Sequence, residues 1–236
     1  MDCLILRFDA PLMSFGGVIV DQHNGTDRFP GTAMLTGLFA NALGWSHADA
    51  DHLHSLQARL TFAARWDVEP KALLDYHTVD LGQPKMSEAG WTTRGLPEHR
   101  EGGSDARKGT HQRYRHYWAN GIMTVAATVH DDGEPSLDHL EHALREPARP
   151  LFLGRKTCLP AEPVLIGRLR GDNLLSILGS VPRASRLGKT PHTPMQARWP
   201  AELGVDHAAQ VRPVYDLRDW RNQWHAGRRL VAEGPL

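Results

Sequence analysis

Cysteine is nearly missing from this 236-residue chain: it has two, Cys3 and Cys158, and neither has a neighbour at metal-ligand spacing. That argues against a disulfide framework and a zinc site, and for a reduced, cytoplasmic protein. Charge of one sign is also missing, since 27 basic residues meet 27 acidic ones. A protein that grips duplex DNA with its whole surface is basic overall. Any nucleic-acid site here must therefore be local, made by segregating charge. Long apolar runs are absent too. The N-terminus has only a short one, broken by Asp2 and Arg7, so neither a membrane span nor a signal peptide is expected. There is no Walker loop, no dinucleotide fingerprint, no Ser-His-Asp order and no matched pair of carboxylates, so neither a cofactor nor a metal is expected.

Against these absences one segment stands out. Residues 107–118, RKGTHQRYRHYW, carry Arg107, Lys108, Arg113 and Arg115 with Tyr114, Tyr117 and Trp118 interleaved, and no acid. Cations neutralise phosphates and flat rings stack on unpaired bases, so the pattern suits single-stranded RNA. It suits equally a solvated strand edge whose rings pack on the body.

The rest of the chain supplies the frame. Residues 3–8 and 60–66 alternate as half-buried strands, and 122–129 reads as a strand buried on both faces. Leu35, Leu38, Phe39 and Ala42 form a helical stripe with Thr32 as N-cap and Gly44 as terminator. Residues 136–145 form a second amphipathic helix capped by Ser136, 47–57 a short helix, 73–79 a weaker strand and 164–169 a final one. Residues 80–109 lack periodicity, which marks an inserted excursion ending in the basic–aromatic segment. The order fits an α+β, ferredoxin-like (RRM-like) βαββαβ palm over residues 1–170, with an inserted thumb arm at 80–118. Residues 171–236 read as a β-rich extension with a basic loop at 181–201 and a terminal hairpin, although Leu217, Trp220 and Trp224 also fit helical spacing. Arg28 precedes a helix N-terminus, where an anion is favoured. The turn Gly154-Arg155-Lys156 offers a cation pair beside flexible backbone.

Several segments together resemble the CasD subunit family of type I-E CRISPR Cascade complexes, in the RAMP superfamily. They are APLMSFG at 10–16, RFP at 28–30 before a helix ending in Leu43-Gly44, DYHTV at 75–79, residues 110–118 running into 123–126, and PLFLGRKTC at 150–158. The resemblance implies a subunit that caps the 5′ handle of the crRNA. It implies partners in the Cascade backbone subunit and large subunit, with target DNA reached indirectly, and a thumb that kinks the guide–target duplex. It implies RNA contact from Met13, Phe15, Arg28, His77, Arg107, Lys108, Arg113, Arg115, Gly154, Arg155 and Lys156. Tyr114, Tyr117 and Trp118 then anchor the thumb.

The competing class is a metal-independent endoribonuclease. Such cleavage needs a group titrating near neutrality and a cation for the phosphorane. His77, His111, His116, Tyr76, Tyr114 and Lys108 are candidate parts. With 14 His in the chain, some fall near cations by chance, and in the type I-E arrangement a separate subunit cuts the precursor. Binding without catalysis is the expectation.

Overall fold

The computed structural model describes residues 1–17, 19–80, 90–91, 97–98, 110–130, 133–186, 194–206 and 208–236. In chain order the strands are β1 (Asp2–Asp9), β2 (Leu12–Met13), β3 (Ile19–Val20), β4 (His23–Asn24), β5 (Leu60–Val68), β6 (Lys71–Asp80), β7 (Gly90–Trp91) and β8 (Pro97–Glu98). They continue with β9 (Thr110–Ala119), β10 (Ile122–Val129), β11 (Leu165–Arg170), β12 (Gln196–Pro200), β13 (Gln210–Val214), β14 (Arg218–Asp219), β15 (Trp224–His225) and β16 (Arg229–Pro235). The helices are α1 (Thr32–Leu43), α2 (Ala50–Arg59), α3 (Leu137–Arg145) and α4 (Leu174–Ser180).

Strands β11, β1, β10 and β5 lie side by side and pair antiparallel. Numbered by their place in a βαββαβ unit, they run 4-1-3-2, the ferredoxin-like arrangement. Alternation decides which residues face where. Leu4, Leu6, Phe8, Phe62, Trp66, Met123 and Val125 pack under α1 and α3. Cys3, Ile5, Ala63 and Ala126 face the other way, under α4 and Trp199. Burial raises the Cys3 thiol to about 11 and pushes Cys158 up as well. Both thiols are free and buried, which disfavours the thiolate.

The β-rich extension is present, one helix is added and the α1 cap is corrected. The C-terminal residues add β12, β16 and β13 beyond β5, giving one sheet of seven strands. Helix α4 went unread, although Asn173 and Ser176 form its capping box and Leu174, Ile177 and Leu178 its apolar face. The N-cap of α1 is Gly31, not Thr32. The carboxylate of Asp216 accepts the Thr32 N–H at 2.9 Å and its hydroxyl at 3.3 Å. The negative charge that a helix N-terminus favours is thus supplied from within the chain, and Arg229 binds the same carboxylate.

A second, smaller sheet carries the basic–aromatic segment. Strand β9 pairs antiparallel with β6 along its length, from Lys71 opposite Ala119 to Asp80 opposite Thr110. Its other edge takes β2 antiparallel and β4 parallel. Residues 81–89, 92–96 and 99–109, including the predicted RNA contacts Arg107 and Lys108, lie outside the described residues.

Candidate nucleic-acid interface

A ferredoxin-like sheet can bind RNA across its open face. Here α4 covers that face over β5 and β10, so exposed cations must come from loops and from the β6–β9 ribbon. At the ribbon's root, the loop after Leu151 folds back on residues 13–15. The Ser14 N–H donates to the Leu153 carbonyl at 3.1 Å, and Leu153 and Cys158 close a tight turn. Residues 151–158 form a loop with Leu151, Leu153 and Cys158 buried, where the apolar run before Gly154 reads in the sequence as a strand. Gly154 sits at φ 96°, and a Cβ there would lie 1.5 Å from the Ser14 carbonyl oxygen. The glycine is required by this backbone contact and by its positive φ.

The turn presents Arg155 and Lys156. Arg155 donates to the carbonyls of His116 at 3.1 Å and Asn24 at 3.0 Å. Its guanidinium lies 4.6 Å from the centre of the Tyr117 ring. It therefore ties the palm to both β4 and β9, and among the described residues no carboxylate neutralises it. Lys156 is exposed. Arg113 donates to the Asp21 carbonyl. Among the described residues, Arg113, Arg115, Arg155 and Lys156 form no ion pair, whereas Arg168, Arg186, Arg198, Arg212, Arg221 and Arg229 each meet a carboxylate. Charge is segregated, as zero net charge demands of a local polyanion site.

Other predicted contacts sit differently. Met13 and Phe15 are buried, Phe15 against Phe8 and Trp66. Their side chains are core, and the Ser14 and Phe15 N–H groups are already bonded to the Leu153 carbonyl and the Thr26 hydroxyl. Arg28 pairs with Glu69 and lies near the Trp118 ring, so its charge is compensated. His77 is opposite Arg113 in the ribbon and hydrogen-bonds Asp75 at 2.6 Å. Tyr117 is buried, and Trp118 donates its indole N–H to the Asp27 carbonyl at 2.7 Å. Tyr114 stacks on His23, 4.7 Å between centroids and 10° between planes. The expected basic loop at 181–201 is corrected at its end, where residues 196–200 form β12, and its described arginines turn inward. Arg183 donates to the Asp67 carbonyl, Arg186 pairs with Asp9, and Arg198 is buried between Asp27 and Glu233.

Asp27 joins these parts. Its N–H donates to the Gly16 carbonyl and its carboxylate binds Arg198 bidentately. Burial pushes Asp27 and Glu233 up, but Arg198 outweighs it, and both are held below the usual carboxylate range. A depressed folded value gives stability that is present above about pH 4, the range of free carboxylates, and lost as pH falls through the folded values. The urea midpoint is expected to drop on the acid side of pH 4. In Arg198→Met that acid-side slope is expected to flatten. An unchanged slope in the variant would contradict the assignment.

A sheet of this topology, with a side ribbon at whose root four cations form no ion pair among the described residues, places the chain in the ferredoxin-like class. Among the described residues no group of His, Cys, Asp or Glu is placed to hold a metal, and no helix is long and apolar enough to cross a membrane. The family model described as CRISPR-associated protein (Cas_Cas5) matches residues 3–232, and the chain belongs to that family. It is 31% identical over 178 residues to the CRISPR system Cascade subunit CasD of Escherichia coli (strain K12), covering 72% of each chain. Its fold matches a chain of a CRISPR RNA-guided surveillance complex with a TM-score of 0.71 and 22% identity, over 99% of this chain and 89% of that one. A second match, a crystal structure of a Cas protein, has a TM-score of 0.65 and 22% identity, over 99% of this chain and 94% of that one. The match to residue 232 takes in the C-terminal strands, where the motif resemblance is thin.

Proposed function

We propose that this chain is a non-catalytic RNA-binding subunit of a type I-E CRISPR surveillance complex, working in antiviral defence in the cytoplasm, and that it caps the 5′ handle of the crRNA. The observation that carries this reading is the set Arg113, Arg115, Arg155 and Lys156, which form no ion pair among the described residues and gather where the palm loop meets the ribbon. Membership of the Cas5 family supports a guide RNA as the polyanion. The thumb arm contacts the adjacent backbone subunit and kinks the guide–target duplex. The palm docks the large subunit, so target DNA is met indirectly.

The reading is tested with handle RNA and purified protein, by anisotropy over a salt series. Affinity should fall steeply with salt, and Lys156→Ala should lower both the affinity and the slope, by about 0.7 for a single-strand phosphate contact. The RNA should be recovered uncut. Salt-independent binding, or a Lys156→Ala protein that retains guide RNA like the parent, would sink the capping site. Specific metal-free cutting that disappears in His77→Ala would overturn the non-catalytic role.

A further inference from the structure

The ribbon has two unlike faces. Alternation puts Arg113 and Arg115 of β9 on one side, opposite His77 and Asp75 of β6. The other side carries Tyr114 and His116, opposite Tyr76 and Leu74. On that second face, rings run across three strands. His23 of β4 stacks on Tyr114 at 4.7 Å and 10°, and Tyr76 of β6 lies 5.1 Å from Tyr114 at 34°. His116 is 6.4 Å from His23. Tyr76 is 50% exposed, on a strand whose outer edge is unpaired among the described residues. The row is thus a partly built stack with an open end. At the root, between β4 and β6 at β9, is a cleft of about 190 Å³ lined by Gly25, Thr26, Ala72, Leu73, His116, Tyr117 and Trp118. That is below the roughly 300–1,000 Å³ of a drug-sized pocket, so any occupant is small. Asp75, opposite Arg115, lies on the other face and is bonded to His77, and the Asp27 carboxylate beside the cleft is held by Arg198.

We infer that this face binds an unpaired nucleobase, which stacks on the His23–Tyr114–Tyr76 row or enters the adjoining cleft against Trp118. The inference rests on the RNA-binding reading above and deepens it: cations on one face hold phosphate, and rings on the other hold a base. Stacking tolerates any base because every base has a π-face, so the site selects unpaired over paired RNA rather than one sequence. A protein segment is the other class of occupant, because Leu74 is also exposed on this face. The parallel ring geometry and the small cleft favour the base.

The test uses the full-length protein and a single-stranded oligoribonucleotide carrying 2-aminopurine, with the same sequence in duplex as competitor. The probe should be quenched on binding, and the duplex should compete weakly. Tyr76→Ala, an exposed edge-strand change, should weaken binding about tenfold and relieve the quenching, as expected for loss of one stacked base at about 1–3 kcal/mol. Its salt slope should stay that of the parent, because no phosphate contact is removed. Tyr114→Leu checks the middle ring. Lys156→Ala should do the reverse, lowering the slope while quenching persists. If Tyr76→Ala and Tyr114→Leu bind and quench like the parent while Lys156→Ala weakens binding, the stacking site is overturned and RNA capture stands. If the parent binds neither strand form, RNA capture falls too. If Tyr76→Ala leaves RNA affinity intact but lowers recovery of partner subunits with the chain, the face belongs to a protein contact and the inference is wrong.

Discussion

Gly154→Ala is expected to destabilise the chain by about 3 kcal/mol or more, or to prevent folding, because two penalties coincide. The residue is at φ 96°, which a side chain disfavours, and the added Cβ meets the Ser14 carbonyl oxygen at 1.5 Å. That oxygen is backbone, so no rotamer change relieves the contact. Urea denaturation reads the loss as a lower midpoint. Protein that still folds must move the 153–158 turn away from residues 13–15. The same variant should then lose guide RNA, because the turn presents Arg155 and Lys156 and braces β4 against β9. Gly179→Ala is the control. It is a helical glycine with nothing within 4 Å of the added carbon, and it should stabilise by about 0.5 kcal/mol. A Gly154→Ala protein as stable as the parent would refute the close approach.

Asp67→Ala is expected to cost about 3–5 kcal/mol, the range for breaking a buried ion pair by removing one partner. Asp67 and Arg65 are both fully buried, next to each other on the sheet face under α4. The carboxylate accepts from Arg65 Nε at 2.8 Å, the Thr124 hydroxyl at 2.7 Å and the Ala184 N–H at 3.0 Å. Arg65 also donates to the carbonyls of Leu178 and Val181 at the end of α4. Without Asp67, a buried guanidinium keeps its charge and loses its counter-ion. The double change Asp67→Leu with Arg65→Met should recover part of the loss, since apolar replacement of a buried pair is often tolerated. Recovery stays incomplete because Thr124 and Ala184 still lack their acceptor. Chemical denaturation of the three proteins in parallel decides it. A single variant within about 0.5 kcal/mol of the parent would show that Asp67 is not integral to the packing.

The palm was legible because its elements bury one face and expose another. Leu60, Phe62, Ala64 and Trp66 alternate in β5, and Leu35, Leu38, Phe39 and Ala42 form the stripe of α1. Strand β6 read weakly for a physical reason: Leu73, Leu74 and Tyr76 are all exposed, so no hydrophobic period marks it. Its structure is held by pairing to β9. The loop 151–153 misled in the opposite sense, since apolar side chains there are buried without a strand. The cation set of the candidate site was readable as chemistry. Which cations are compensated was not, because Arg28 meets Glu69 and Arg198 meets Asp27 and Glu233 only through long-range contacts. Likewise His23 pairs with Tyr114 from a distant part of the chain, so the ring row is invisible to spacing.

The place of β12 has a consequence for how the chain is made. Strand β12 lies between β5 and β16, with Ala197 and Arg198 opposite Arg65 and Ala64. On a ribosome, the four palm strands emerge well before residues 196–200 do. Until then the outer edge of β5 is an unpaired, apolar template for another chain, and Asp27 waits without its guanidinium. Faster synthesis of residues 171–200, which shortens that interval, or a chaperone that shields β5 during it, should raise the yield of soluble protein.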